Sequence, residues 1–77
     1  MTREEFETLG IGDVVEWEAN IGKTTEIIVG LSEDKEPITW WKTMIISVWR
    51  GKYEIGEEGL LGKSNCDFFT IIARGAE

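Results

Sequence analysis

The sequence predicts an all-β domain of five short strands with a short helical turn at its N-terminal end. Three observations favour this fold class. Apolar and polar residues alternate along several segments, β-branched and aromatic residues concentrate in those segments, and glycine-containing turns separate them. The chain of 77 residues has room for one hydrophobic core, so residues 1–77 are expected to form a single domain.

The first predicted element is the helical turn. Thr2 and Glu5 have the spacing of a capping box, in which a hydroxyl and a carboxylate cap the first turn reciprocally. Phe6 and Leu9 then fall on one face, and Gly10 ends the turn. We expect this turn to pack over the core.

Two strands are predicted next. Residues 13–19 alternate, with Val15, Trp17 and Ala19 facing inward. After a turn at residues 20–23, a β-branched strand follows. Its apolar side chains share one face with a threonine: Thr25, Ile27, Val29 and Leu31. Gly30 indicates a bulge or bend, and the polar residues 32–37 are predicted to be an exposed loop.

Residues 38–50 form the longest predicted strand, which we expect to bend near Lys42. A helix is the alternative, because apolar residues in this segment also recur at helical spacing after Pro37. The abundance of β-branched and aromatic residues favours the strand.

The segment Gly51-Lys52 predicts a two-residue type II′ hairpin turn. This turn would set Arg50 opposite Tyr53 and would begin a short fourth strand, with Trp49 opposite Glu54 and Val48 opposite Ile55. The glycine-rich residues 57–65 are predicted to be a loop. Residues 67–74 are predicted to be the closing strand.

A short, strongly bent barrel is the architecture that buries such a sheet on itself and leaves few free edges. The order of elements resembles the SH3-like barrel. The resemblance is carried by Leu9-Gly10-Ile11-Gly12-Asp13-Val14-Val15 leading into the first strand, by a charged turn, and by Ile28-Val29-Gly30-Leu31 returning. It implies a scaffold often used for binding peptides, nucleic acid or proteins. The Ala-Leu-Tyr-Asp type of start is missing, so no functional residue carries over from that family.

The net charge of −7 is concentrated in the first half of the chain. Residues 1–36 hold ten acids and three bases, whereas residues 37–77 hold five of each. This negative field opposes non-specific nucleic-acid binding, which depends on neutralising phosphates. The acids either keep an aromatic-rich surface soluble or form a face that meets a basic partner or imitates nucleic acid.

A cytoplasmic location is expected. Cys66 is the only cysteine, so no disulfide can form within one chain, which favours a reducing compartment. No apolar stretch approaches the roughly 20 residues of a membrane span, and the first residues lack the apolar core of a signal peptide. We therefore expect no membrane partner.

Catalysis is not expected. The sequence has no histidine, and Cys66 has no evident activating base and is expected to be an ordinary thiol. The adjacent acids Glu57 and Glu58 are interpreted as solvated charges. Gly62-Lys63-Ser64 resembles the end of a phosphate-binding loop, but the required earlier glycine is replaced by Glu57. The sequence thus predicts no enzyme, no cofactor and no metal site.

The aromatic strand provides the candidate site. Neighbouring strand residues point to opposite faces, so one indole of Trp40-Trp41 is expected to be exposed or shallow. One row of alternating side chains is predicted to face solvent and to bind a partner: Thr39, Trp41, Thr43, Ile45, Ser47 and Trp49. The predicted partner-binding residues are the two tryptophans of that row and the cations and tyrosine beside it: Trp41, Trp49, Lys42, Arg50, Lys52 and Tyr53. The alternative is that Trp41 and Trp49 belong to the core.

Three functions are compatible with these features. The leading hypothesis is a non-enzymatic protein-binding module, a small adaptor or inhibitor of the kind that phages and mobile elements encode. A single-stranded nucleic-acid binder that stacks bases on Trp41, Trp49 and Tyr53 is the second, although the net charge disfavours it. The third is a structural subunit that closes its aromatic strand face against a second copy.

Overall fold

The structure is a five-stranded antiparallel sheet with a small helical cover. It is a computed structural model that describes residues 1–20, 22–31 and 40–75. The strands are β1 (Val14–Ala19), β2 (Gly22–Leu31), β3 (Trp40–Trp49), β4 (Glu58–Gly62) and β5 (Phe69–Ala73). Helix α1 (Arg3–Phe6) precedes them and a 3₁₀ turn (Cys66–Phe68) precedes β5.

The strands lie in the order β4-β3-β2-β1-β5, and each pair of neighbours is antiparallel. The predictions of an all-β fold and of five strands are confirmed. The sheet is open, because the edge strands β4 and β5 do not pair with each other among the described residues. The predicted closed barrel is therefore not found here.

The predicted helical turn and its cap are confirmed. Thr2 Oγ1 accepts a hydrogen bond from the Glu5 amide (3.0 Å), and Glu5 Oε1 accepts one from the Thr2 amide (2.9 Å). These two bonds satisfy amides at the start of α1 that have no partner within the helix. Phe6 and Leu9 are buried, so the turn covers one side of the sheet as expected.

The hydrophobic core lies on one side of the sheet, which we call the core side. It contains one buried side chain from each of four strands, Val15, Ile28, Leu61 and Phe69, together with Phe6, Leu9 and Cys66. Cys66 is a free, fully buried thiol. Four of the five strands thus contribute to a single apolar layer beneath α1 and the 3₁₀ turn.

The row of β3 that is predicted to face solvent needs correction, and the structure shows which row of β2 faces the core. In β2 the buried residues are Gly22, Thr24, Glu26 and Ile28, so the more apolar row with Val29 and Leu31 lies outward. In β3, Thr43 and Ile45 of the row predicted to face solvent are buried, whereas Met44 and Ile46 are exposed.

Two irregularities in the ladder explain why strict alternation failed. The register between β2 and β3 shifts between Thr25 and Glu26, where Ile46 is the extra residue on β3, and again around Val29. A bulge places two residues opposite one and changes which face the following side chains occupy. Trp49 consequently lies at the surface, with 57 % of its area exposed, although Ile45 of the same predicted row is buried.

The connection between β3 and β4 also differs from the prediction. The predicted Arg50–Tyr53 hairpin pairing is wrong, because Gly56 and Glu57 pair with Ile45 through backbone hydrogen bonds of 2.8 and 2.9 Å. Residues 50–55 instead form a wide turn. Most of the loop predicted over residues 57–65 is strand β4. Its glycines do not mark a loop; Gly59 leaves space for the side chains of Thr43 and Glu26, and Gly62 for the ring of Trp40.

The remaining boundaries follow the prediction closely. Strand β1 covers the predicted segment, and β5 falls within residues 67–74 after the 3₁₀ turn. The segment predicted as strand or helix is strand from Trp40 onward. The loop predicted over residues 32–37, together with residues 38 and 39, lies outside the described residues.

Asp13 ties the start of β1 to the end of β5. Its carboxylate accepts hydrogen bonds from the amides of Gly10 (3.0 Å) and Gly75 (2.7 Å) and pairs with the Arg74 guanidinium (2.9 Å). Burial by itself raises the pKa of this carboxyl, but the bonds from Gly75, Gly10 and Arg74 outweigh it. The pKa of Asp13 therefore lies below its ordinary value of 3.8.

Replacing Asp13 with asparagine should reduce the free energy of unfolding by about 1–3 kcal/mol at pH 7, because the amide nitrogen cannot accept the bonds to Gly10 and Arg74. A group with a lowered folded-state pKa stabilises the fold above its unfolded pKa. This advantage is lost as the pH falls from 3.8 through the lower folded-state value. Urea denaturation from pH 7 to pH 2 should show the two stability curves converging on the acid side. Parallel curves would contradict the role given to Asp13.

Candidate functional site

Two adjoining cavities lie on the core side of the sheet, beyond the apolar core. The first, which we call the acidic cavity, has a volume of about 340 Å³. It is lined by Trp17, Thr24, Glu26, Ile45, Tyr53, Glu57, Glu58, Gly59, Leu60, Asn65 and Phe69. The second, the basic cavity, has a volume of about 240 Å³ and is lined by Trp17, Gly22, Lys23, Thr24, Arg50, Gly51, Lys52 and Tyr53.

The rings of Trp17 and Tyr53 form the wall that both cavities share. Their centroids lie 5.9 Å apart and their planes meet at 87°, an edge-to-face arrangement that aromatic pairs prefer. Trp17 is held in the centre of the sheet, between Thr24 on β2 and Phe69 on β5. Tyr53 comes from the turn after β3 and is 48 % exposed, so this wall is open to a ligand.

Glu26 forms the floor of the acidic cavity. Its side chain is buried on the core side of β2, and the residue is only 7 % exposed. Thr24 Oγ1 donates a hydrogen bond to Oε2 (2.9 Å), and Thr43 Oγ1 donates one to Oε1 (2.6 Å). The two threonines flank Glu26 on β2 itself and on β3, so both carboxylate oxygens are fixed in position.

Glycine on β4 makes room for this carboxylate. A Cβ atom at Gly59 would lie 3.0 Å from Thr43 Oγ1 and 3.3 Å from Glu26 Oε1. Glu57 and Glu58 follow the turn into β4 and lie at the exposed mouth of the cavity. No ion pair in the described residues involves any of these three carboxylates.

The basic cavity is built by the turn after β3. Arg50 and Gly51 both have positive φ angles, 62° and 110°. This left-handed backbone turns the chain back over the start of β2, where Gly22 packs against the carbonyl groups of Trp49 and Arg50. The Arg50 guanidinium carbon lies 4.7 Å from the centroid of the Trp49 ring, within cation–π distance.

The structure brings together three of the six predicted partner-binding residues at the basic cavity. The end of β3 and the turn after it carry Trp49, Arg50, Lys52 and Tyr53, and the last three of these residues line the basic cavity. Trp49 lies on the opposite side of the sheet, beside Glu18 and Lys23.

Trp41 and Lys42 are separated from this group. They lie near the other end of β3, about 26 Å from Trp49 along the strand. Trp41 packs against the hydrophobic core, as the alternative prediction had it for this residue. Both indoles of the adjacent pair Trp40-Trp41 are partly buried. Trp41 packs against the core, and the Trp40 ring lies against Gly62 on β4.

Sequence reasoning missed the residues that make the cavities. The prediction that Trp17 faces inward is confirmed, since it packs against the core, but alternation does not show that its ring also lines a cavity. The interpretation of Glu57 and Glu58 as loop charges does not place them at a cavity mouth. Glu26 carried a usable signal: it is the one acid within an otherwise apolar, β-branched strand, on the same row as Thr24 and Ile28. Its burial follows only once that row is known to face the core.

No protein-family model, curated protein or solved structure matches this chain. Neither helical segment in the described residues has the length and apolar character needed to cross a membrane. Within the same residues, no three acidic or cysteine side chains come close enough together to hold a metal ion.

Gly22→Ala tests whether close packing positions the turn. An added Cβ would lie 2.7 Å from the Trp49 carbonyl oxygen and closer still to that of Arg50, so we expect a loss of about 1–3 kcal/mol in unfolding free energy. Gly30→Ala is the matched control, since a Cβ there meets nothing within 4 Å. It should change stability by less than about 1 kcal/mol. Equal effects in urea denaturation would show that the turn does not depend on Gly22.

Proposed function

We propose that this chain is a non-enzymatic protein-binding module that holds a partner segment across the Trp17–Tyr53 wall. One observation carries the proposal: a half-exposed aromatic wall stands between two cavities, one lined by three glutamates and the other formed beside the turn that carries Arg50 and Lys52. Aromatic side chains supply much of the binding energy in protein interfaces, and charges beside them set which partner fits.

The charged residues that line the two cavities favour a polypeptide over a nucleic acid. Glu26, Glu57 and Glu58 line one cavity. Lys52 has no ion pair among the described residues and lines the other cavity, where Lys23 pairs with Glu16 and the Arg50 guanidinium lies on the Trp49 ring. A polypeptide can present acidic and basic groups within a few residues of each other. A nucleic acid presents a continuous row of phosphates, which the acidic cavity and the net charge of −7 repel.

The proposal contains no catalytic step. The sequence has no histidine, and Cys66 is enclosed in the core rather than in either cavity. The described groups of the site are therefore assigned to recognition: rings for contact area, and fixed charges for orientation.

A scaffold of the SH3-like type is also part of this proposal. What supports it is the order of the strands, in which consecutive strands pair and β5 returns to lie beside β1. In this chain the sheet would be an open variant of that arrangement, with the space between β4 and β5 left to the acidic cavity.

Self-association is a second candidate function, favoured by the outer side of the sheet. Val14, Ile27 and Met44 stand next to one another across β1, β2 and β3, and Ile46 and Ile72 are exposed on the same sheet. Exposed apolar rows of this kind often mark an interface between protein chains.

Site-specific photocrosslinking separates these functions. A benzoylphenylalanine probe at Tyr53 of the full chain should crosslink to a second, different polypeptide in the cells that express it. The same probe at Ile46, similarly exposed but on the outer side, is the matched control. Nuclease treatment should leave the Tyr53 product unchanged.

Crosslinks to nucleic acid at Tyr53, or no more protein captured there than at Ile46, would refute the binding module. Crosslinks from Ile46 to a second copy of the chain would support self-association through the outer side.

A further inference from the structure

We infer that the acidic cavity receives an arginine side chain of the partner, with the Glu26 carboxylate as the charged anchor and the Trp17 and Tyr53 rings as walls. This inference rests on the proposed binding function and names the chemistry that it recognises. It is argued from the charge, the rings and the geometry of one cavity.

The lining of the cavity has only negative charge. Three of its eleven lining residues are glutamates, and none is a lysine or arginine. Glu26 lies at the buried floor, where the surrounding protein screens its charge less than water would. An occupant with a positive charge is therefore favoured over a neutral or negative one.

The aromatic lining narrows the class of cation. Trp17, Tyr53 and Phe69 all face the cavity, and ring faces attract cations that carry delocalised or organic charge. No three of the described acids are close enough to hold a metal ion. This arrangement suits an extended organic cation rather than a metal ion.

The hydrogen bonds of Glu26 favour arginine over lysine. Each carboxylate oxygen accepts one threonine hydroxyl, which fixes the plane of the group and leaves a further lone pair on each oxygen. A guanidinium presents two parallel N–H donors that match such a fixed pair of oxygens, whereas an ammonium is a single point of charge. The planar guanidinium also stacks on aromatic rings.

The test uses small probes and the full chain, without any partner protein. The ¹⁵N-labelled protein is titrated with N-acetyl-arginine methylamide, with the neutral isostere N-acetyl-citrulline methylamide, and with the lysine analogue. The Gly59 amide and the Trp17 indole N–H report on the cavity, because they lie at its floor and wall. We expect the arginine probe to bind at least about tenfold more tightly than the citrulline probe and several-fold more tightly than the lysine probe.

Two variants locate the binding. Glu26→Gln keeps the size and one acceptor of the side chain, and should weaken arginine binding about tenfold. Tyr53→Ala removes an exposed part of the wall and should weaken it several-fold without disturbing the core. Glu4→Gln is the matched control, because it changes the net charge equally at an exposed position on α1, and it should bind as the unaltered chain does.

Equal binding of arginine and citrulline, or equal weakening in Glu26→Gln and Glu4→Gln, would overturn the inference. If the spectrum of Glu26→Gln shows an unfolded chain, the inference is tested instead by the affinities of the arginine and citrulline probes and by arginine binding to Tyr53→Ala. Tighter binding of the lysine probe than of the arginine probe would also refute the choice of arginine.

A protein crosslink at Tyr53 without a preference for the arginine probe would support the proposed binding module and refute this inference. Arginine binding without any protein crosslink would leave the cavity's specificity standing and remove the module.

Discussion

The paired hydrogen bonds from Thr24 and Thr43 to the buried Glu26 carboxylate are the interaction on which the site depends. A carboxylate removed from water is costly unless its oxygens have partners, and the two hydroxyls provide one partner for each oxygen. These bonds place a fixed negative charge where an aliphatic side chain would otherwise extend the core. The hydrophobic core therefore stops at Ile28 and Val15, and a polar cavity begins at the next residues along β1 and β2.

Two glycines and one tryptophan shape the surface beside that polar floor. Gly59 leaves the space beside Glu26 and Thr43 open, and Gly22 lets the turn after β3 approach β2. Trp17 stands between these two places and meets Tyr53 edge to face. Because the two cavities share this pair of rings, the wall stands between three glutamates on one side and the turn that carries Arg50 and Lys52 on the other. The open edge between β4 and β5 leaves the wall accessible.

Local sequence signals predicted the elements that depend on local chemistry. The capping box at Thr2 and Glu5, the alternation of β1 and the position of β5 all follow from neighbouring residues. The register shift around Val29 lies where Gly30 predicts a bulge, but the bulge at Ile46 depends on pairing between β2 and β3, so the sequence alone predicts the wrong row of β3 to face solvent. Strand β4 is not predicted, because its glycines indicate a loop locally, whereas in the fold they leave space for side chains on β2 and β3. Three of the six candidate residues lie together at the basic cavity, whereas Trp17 and Glu26 become part of the site only through the fold.

The position of a bound arginine tests the account most directly. Intermolecular nuclear Overhauser effects between the δ-methylene protons of the arginine probe and the ring protons of the protein report which surface holds the side chain. We expect contacts to Trp17, Tyr53 and Phe69 and none to Trp49 on the opposite side of the sheet. Contacts to Trp49 or Ile46 in place of those three rings would contradict it.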